Sequence, residues 1–173
     1  KFTPAATFEA APSIVNYNNY EGLATEFNTG AYFKDGNGNL YFGGLDGFYW
    51  FKPNKIKENT IVPKIAITGF DVYNAAFPIT EGLALKANQN TLSFSFSGLQ
   101  FSLPEKNQYQ YRLVNFDSDW VYAGQKNFAR YTRLPPGNYE FQVKASNYDG
   151  VWNNDPVGFS FSIMSPWYLT PMA

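Results

Sequence analysis

The sequence predicts an all-β chain, with a β-sandwich preceded by a small meander. Three observations point there. Apolar residues recur with period two, and a helical period is hard to find. Aromatics make up 20% of the 173 residues and charged residues only 16%, and Phe, Tyr and Trp favour strands. Gly-, Asn- and Pro-rich stretches separate the alternating runs, as turns do.

Residues 1–30 are loosely patterned, with Ile14-Val15-Asn16-Tyr17 as a short strand. Gly30-Ala31-Tyr32-Phe33-Lys34 and Leu40-Tyr41-Phe42-Gly43-Gly44 read as strands. The Asp35-Gly36-Asn37-Gly38-Asn39 stretch between them reads as a tight turn, because Gly and Asn tolerate positive φ. Gly47-Phe48-Tyr49-Trp50-Phe51 completes the meander across Leu45-Asp46. Three such strands bury little apolar area by themselves. Residues 52–63 are polar and bracketed by Pro53 and Pro63, and read as a boundary.

From Lys64 the alternation sharpens. Ile65 and Ile67 share one parity and Phe70 and Val72 the other, so a β-bulge is expected at Thr68-Gly69. Leu83 and Leu85 mark a short strand. A polar hairpin turn, Ala87-Asn88-Gln89-Asn90, leads to Leu92, Phe94 and Phe96. Tyr109, Tyr111 and Leu113, then Tyr139, Phe141, Val143 and Ala145, then Phe159, Phe161 and Ile163 each alternate with polar residues. About six or seven strands with one apolar face fit an immunoglobulin- or fibronectin-like sandwich. Pro135-Pro136-Gly137 makes a stiff corner ahead of Tyr139. A tyrosine there can bury its ring and return its hydroxyl to a backbone group a few residues upstream, the tyrosine corner of Greek-key sandwiches.

Composition excludes several function classes. Cysteine and histidine are absent, so no disulfide, thiolate nucleophile, zinc site or Ser-His-Asp triad is available. A formal charge of -1 offers no field for nucleic acid or an anionic membrane. Arg112, Arg130 and Arg133 read as solvated strand-face residues. No apolar run of about 18 residues marks a membrane helix, and no signal peptide opens the chain. Lys1-Phe2-Thr3 reads as a start in mid-protein and Leu169-Thr170-Pro171-Met172-Ala173 as an abrupt end, so a piece of a longer protein is expected.

The second half resembles the three-tyrosine (Y_Y_Y) domain of bacterial two-component regulators. The matching pieces are Tyr111-Arg112-Leu113, Phe116-Asp117-Ser118-Asp119-Trp120, Tyr131-Thr132-Arg133-Leu134-Pro135-Pro136-Gly137-Asn138-Tyr139 and Ala145-Ser146-Asn147-Tyr148-Asp149-Gly150-Val151-Trp152. The named tyrosines would be Tyr111, Tyr131 and Tyr139. The first third resembles the end of the β-propeller that precedes this domain, in Glu21-Gly22-Leu23, Glu26-Phe27-Asn28 and Gly38-Asn39-Leu40-Tyr41-Phe42-Gly43-Gly44. Ser165-Pro166-Trp167-Tyr168 resembles the lead-in to a membrane helix. The expected organisation is a remnant of the last blade at 1–57, the three-tyrosine sandwich at 58–166 and a juxtamembrane lead-in at 167–173.

The resemblance implies a non-catalytic, periplasmic signal-relay module of a hybrid sensor histidine kinase. It implies an upstream propeller and a second protomer as partners. A polysaccharide-derived ligand would belong to the parent protein, and membrane contact would come only through a downstream helix. No cofactor is implied, and no catalytic or metal residue. Tyr111, Trp120, Tyr131, Tyr139 and Trp152 are expected as packing anchors, with Pro135, Pro136 and Gly137 fixing the corner. The unpaired edges of a truncated blade predict a tendency to dimerise.

Other chemistry is weaker. Asp35-x-Asn37-x-Asn39 has calcium-loop spacing but lacks the distant bidentate Glu. Asp117, Asp119, Asp149 and Asp155 lie near tryptophans, where carboxylate pairs could hydrolyse glycosides, but loop aspartates commonly bond local backbone. Trp50, Tyr122, Trp152, Trp167 and Tyr168 fall outside the alternation. They support the alternative reading, a secreted fibronectin-like carbohydrate-binding or adhesion module.

Overall fold

The computed structural model describes residues 2–3, 13–14, 26–56, 59–100 and 103–166. It divides into two compact units, Lys1–Glu58 and Asn59–Ala173. In the first unit, β1 (Phe2–Thr3) pairs antiparallel with β2 (Ser13–Ile14). The rest of the Ile14–Tyr17 strand expectation lies outside the described residues. An antiparallel meander follows: β3 (Phe27–Lys34), β4 (Leu40–Gly44) and β5 (Gly47–Phe51). Its first turn is closed by Gly38 N–H donating to the Asp35 carbonyl at 3.1 Å, with Gly38 at φ +82°.

The second unit is a two-sheet sandwich. Its strands are β6 (Lys64–Val72), β7 (Ala75–Ala76), β8 (Leu83–Leu85), β9 (Leu92–Leu99), β10 (Gln108–Val114), β11 (Val121–Gly124), β12 (Phe128–Tyr131), β13 (Gly137–Ser146) and β14 (Val157–Ile163). One sheet runs β11-β10-β13-β14-β8 and the other β12-β9-β6-β7. The alternation of β9 and β13 places Leu92, Phe94 and Phe96, and Tyr139, Phe141, Val143 and Ala145, in the core between them. Phe94 and Phe141 stack across the two sheets at 4.0 Å and 5°. Phe70 meets Phe159 at 5.2 Å.

The phase change in β6 is a bulge: Ile67 pairs Phe96 and Gly69 pairs Ser95, leaving Thr68 unmatched. A Cβ on Gly69 would stand 3.3 Å from that of Ser95. The expected hairpin turn at Ala87–Asn90 needs correction, because the strands on either side belong to different sheets. β8 pairs parallel with β14 (Leu83 with Phe161, Leu85 with Ile163), whereas β9 joins β6 and β12. The turn is therefore a crossing between layers. Gln89 holds it, its N–H donating to the Lys86 carbonyl at 2.8 Å while its Oε1 accepts from Lys86 N–H at 2.9 Å. Leu85 and Leu92 are both buried, each on the inner face of its own sheet.

Candidate functional site

Tyr111, Tyr131 and Tyr139 lie within the sandwich unit. Tyr131 and Tyr139 are buried and Tyr111 packs partly buried against the core. Tyr131 belongs to the β12 sheet and Tyr111 to the β10 sheet, and their rings meet edge-on at 6.2 Å. Just after β10, Asp117 Oδ2 accepts the Tyr131 hydroxyl at 2.5 Å and Leu113 N–H at 2.7 Å. Asp117 thus bonds one layer to the other. Burial first, then the hydrogen bond to Asp117 and its charge, push the Tyr131 hydroxyl far above the ordinary tyrosine range. Burial and the same carboxylate raise Tyr111. These groups are built to stay neutral and bonded, not to exchange protons near neutral pH.

At the Pro135-Pro136-Gly137 corner, the Tyr139 hydroxyl donates to the Pro135 carbonyl at 2.7 Å. Burial raises its pKa. Pro135 and Pro136 are exposed and Gly137 half-buried. A Cβ on Gly137 would stand 3.4 Å from the Tyr139 hydroxyl, at van der Waals contact.

Trp120 and Trp152 are placed otherwise than as core anchors. Both are half-buried and neither belongs to the core. The Arg112 guanidinium lies 4.7 Å from the Trp120 ring centroid and Lys144 Nζ 4.4 Å. Lys144 Nζ is also 5.7 Å from the Trp152 ring. Arg112 and Lys144 share the polar parity of their strands, which faces away from the core. Both indoles therefore pack against cation stems on the outer sheet face. Trp152 bridges to Ser146 at the end of β13, opposite a residue of that outer parity.

The loop after β13 holds the feature that motif spacing did not reveal. Asn147 is fully buried. Its Nδ2 donates to the Asn59 carbonyl and to the Ile61 carbonyl, the latter at 3.0 Å. Its Oδ1 accepts from Asp149 N–H at 3.0 Å and Val151 N–H at 2.9 Å. All four of its side-chain hydrogen-bond positions are thereby used. Asp149 Oδ2 accepts Asn59 N–H at 2.5 Å. One loop thus grips residues 59–61, some 86 to 90 positions upstream. In the sequence Asn147 stands in the family-matching Ala145–Trp152 stretch, ahead of Asp149-Gly150, and that stretch reads as an ordinary turn with no hint of the upstream partners.

The remaining candidates hold local structure. Asp35 accepts N–H groups of Asn37 and Asn39 at 2.9 and 2.8 Å, the Asn39 amide at 2.6 Å and the Tyr41 hydroxyl at 3.2 Å. Slight desolvation pulls its pKa up, but these hydrogen bonds outweigh it and hold the carboxyl below its usual value. The motif is an Asx-type turn with both oxygens engaged. Asp119 Oδ1 accepts the next residue's N–H, that of Trp120, at 2.7 Å. Among the described residues no three His, Cys, Asp or Glu side chains gather as a metal site, and no helix is long and apolar enough to cross a membrane. Of the aromatics considered for a sugar platform, Trp152 packs against Lys144 as described above. Trp50 belongs to the first unit, Tyr122 is exposed with its hydroxyl on Gln108 Oε1 at 2.9 Å, and Trp167 and Tyr168 lie outside the described residues.

The histidine kinase P4 of Formosa agariphila is 29% identical over 170 residues, covering 90% of this chain and 12% of that protein. The extracellular domain of a hybrid two-component system from B. thetaiotaomicron superposes with a TM-score of 0.73 at 27% identity, over 86% of this chain and 22% of its own. A second such extracellular domain from B. thetaiotaomicron gives 0.56 at 30% identity, over 75% of this chain and 19% of its own. The chain therefore spans less than a quarter of each of these relatives. Residues 100–164 match the Y_Y_Y domain family. That match holds the tyrosine pair at Asp117, the Tyr139 corner and the Asn147 loop.

Proposed function

We propose that the chain is a non-catalytic relay module of a membrane-bound two-component sensor kinase, on the periplasmic side. Displacement of an upstream sensing propeller, paired with that of a second protomer, enters the sandwich at residues 59–61. It leaves toward a membrane-crossing helix downstream. The observation that carries this reading is the Asn147 clamp. A relay needs its incoming segment fixed to a body that does not deform, and close-packed cores are bistable or stiff rather than soft. The similarity to extracellular domains of hybrid two-component systems supports the assignment.

Asn147→Asp tests it. The substitution keeps an acceptor for Asp149 and Val151 but replaces two donated hydrogen bonds by a carboxylate facing two carbonyl oxygens. A cost of about 3 kcal/mol is expected. Hydrogen exchange should accelerate at residues 59–63 while Phe94 and Phe141 neighbours stay protected. In the full-length parent, inducer binding should persist while kinase output no longer follows it. Normal inducible output with the clamp demonstrably open would defeat the relay reading.

A further inference from the structure

Arg112 and Lys144 stand half-buried on the outer face of the larger sheet. Arg112 pairs with Gln142 and Gln110 with Lys144, so the two cations are diagonal neighbours on β10 and β13. Among the described residues neither meets a carboxylate. Glu140 shares their face but leans the other way, its Oε1 lying 2.5 Å from where a Cβ on Gly158 of β14 would stand. We propose that this cation pair is a docking site for an acidic partner protein, taken as an extended segment with carboxylates at alternating positions. The inference goes beyond the relay assignment and does not rest on it.

The spacing fits such a segment. Diagonal neighbours on adjacent antiparallel strands stand about 7–8 Å apart, and alternate side chains of an extended peptide about 6.5–7 Å. Each cation can therefore meet its own carboxylate at the same time. Arg112 Nε donates to Gln142 Oε1 at 2.8 Å, which fixes the guanidinium plane and leaves its outer N–H groups for a carboxylate. The Trp120 ring centroid lies 4.7 Å from the Arg112 guanidinium and 4.4 Å from Lys144 Nζ. Both charged heads are thus held before a partner arrives, which lowers the ordering cost of binding. Tyr122, opposite Gln110 and 61% exposed, adds an apolar flank beside Trp120.

Charge complementarity selects the occupant. A pair of cations matches a pair of carboxylates, but is too few for the row of phosphates along a nucleic acid. A chain of net charge -1 is not drawn to an anionic bilayer. Solvent-facing ion pairs contribute little each, so the contact is weak, reversible and sensitive to salt.

The test is NMR titration of the intact chain with a short peptide bearing glutamates at alternating positions, with its glutamine counterpart, and with phosphatidylglycerol vesicles. The glutamate peptide should bind at low salt with Kd near or below about 1 mM, shift the Trp120 indole N–H, and bind more weakly in about 0.3 M salt. The glutamine peptide should bind about tenfold more weakly or worse. Lys144→Gln and Arg112→Gln should each weaken the glutamate peptide about fivefold, the upper end for solvent-facing pairs. Lys144→Arg, which keeps the charge, and Lys86→Gln, an exposed lysine elsewhere, should bind as before. Lys144 Nζ donates no hydrogen bond among the described residues, so its variants keep the result interpretable if Arg112→Gln fails to fold. No binding of the glutamate peptide at about 10 mM, equal binding of the glutamine peptide, or indifference to Lys144→Gln overturns the proposal. So does binding to the vesicles with no peptide binding.

Discussion

Phe42 and Phe94 are both strand phenylalanines set among other aromatics, yet one stays partly open and the other is fully buried. Phe42 pairs with Tyr32 and Tyr49 on one face of the meander, while the adjacent register places Phe33, Tyr41 and Trp50 together on the other. Both faces are aromatic, and none of residues 26–56 is buried. Tyr32, Phe48 and Trp50 are 75%, 68% and 61% exposed. In the sandwich, β9 turns Phe94 toward a second sheet that supplies Phe141 and Phe161. The difference teaches that strand-forming residues make a sheet, but only an opposing layer makes a core. A sheet apolar on both faces asks to be covered on both.

The largest effect that could break this comparison comes from matched truncations. Phe94→Ala removes the ring stacked on Phe141 and touching Phe70, Tyr131 and Phe161. A loss of about 3–5 kcal/mol is expected in denaturant unfolding followed at the sandwich. Trp50→Ala in the open meander should change that transition by no more than about 0.5 kcal/mol. Equal costs would mean that the first unit shares the cooperative core.

Much of the sandwich was legible because its strands obey strict alternation. Tyr139 through Ala145 and Leu92 through Phe96 announce their buried face residue by residue, and the parity change at Thr68-Gly69 announces the bulge. The Pro-Pro-Gly corner named the hydroxyl's partner region, since a tyrosine there can reach back only a few residues. Long-range choices were not legible. Nothing in Leu83-Ala84-Leu85 says that it pairs parallel with Phe161–Ile163 and not with the next strand in sequence. Trp120 and Trp152 escaped because cations on Arg112 and Lys144 hold them, and a strand pattern records burial but not which polar neighbour covers a ring. Asn147 escaped because its partners lie far upstream.

A smaller effect separates buried from exposed tyrosines by pH. Burial, with Asp117 as a further cause for Tyr131 and Tyr111, raises the pKa of Tyr131, Tyr111 and Tyr139. The folded state therefore holds these protons more tightly than the unfolded chain, whose tyrosines ionise near about 10. The stabilisation is complete below that pH and is lost as pH rises above it, by at most about 1.4 kcal/mol per pH unit for each tyrosine. Urea midpoints should be flat from about pH 8 to 9.5 and fall steeply toward about pH 11. Tyr131→Phe should lower stability at pH 8 yet flatten the alkaline slope. An unchanged slope in that variant would remove Tyr131 from the account.

The finest contrast removes one oxygen from each region. In Tyr139→Phe the ring stays packed on Phe161 at 5.6 Å, and only the hydrogen bond to Pro135 is lost. The Pro135 carbonyl sits at an exposed corner, so water can replace the hydroxyl, and the net cost should be about 1 kcal/mol rather than a full desolvation penalty. In Tyr32→Phe the oxygen leaves a side chain that is 75% exposed, and the melting temperature should not move. If Tyr139→Phe is equally silent, the corner is held by Pro135 and Pro136 alone and the hydroxyl merely follows. If it costs several kcal/mol, the bond is fixing the path of β13 into the core and not only closing a turn.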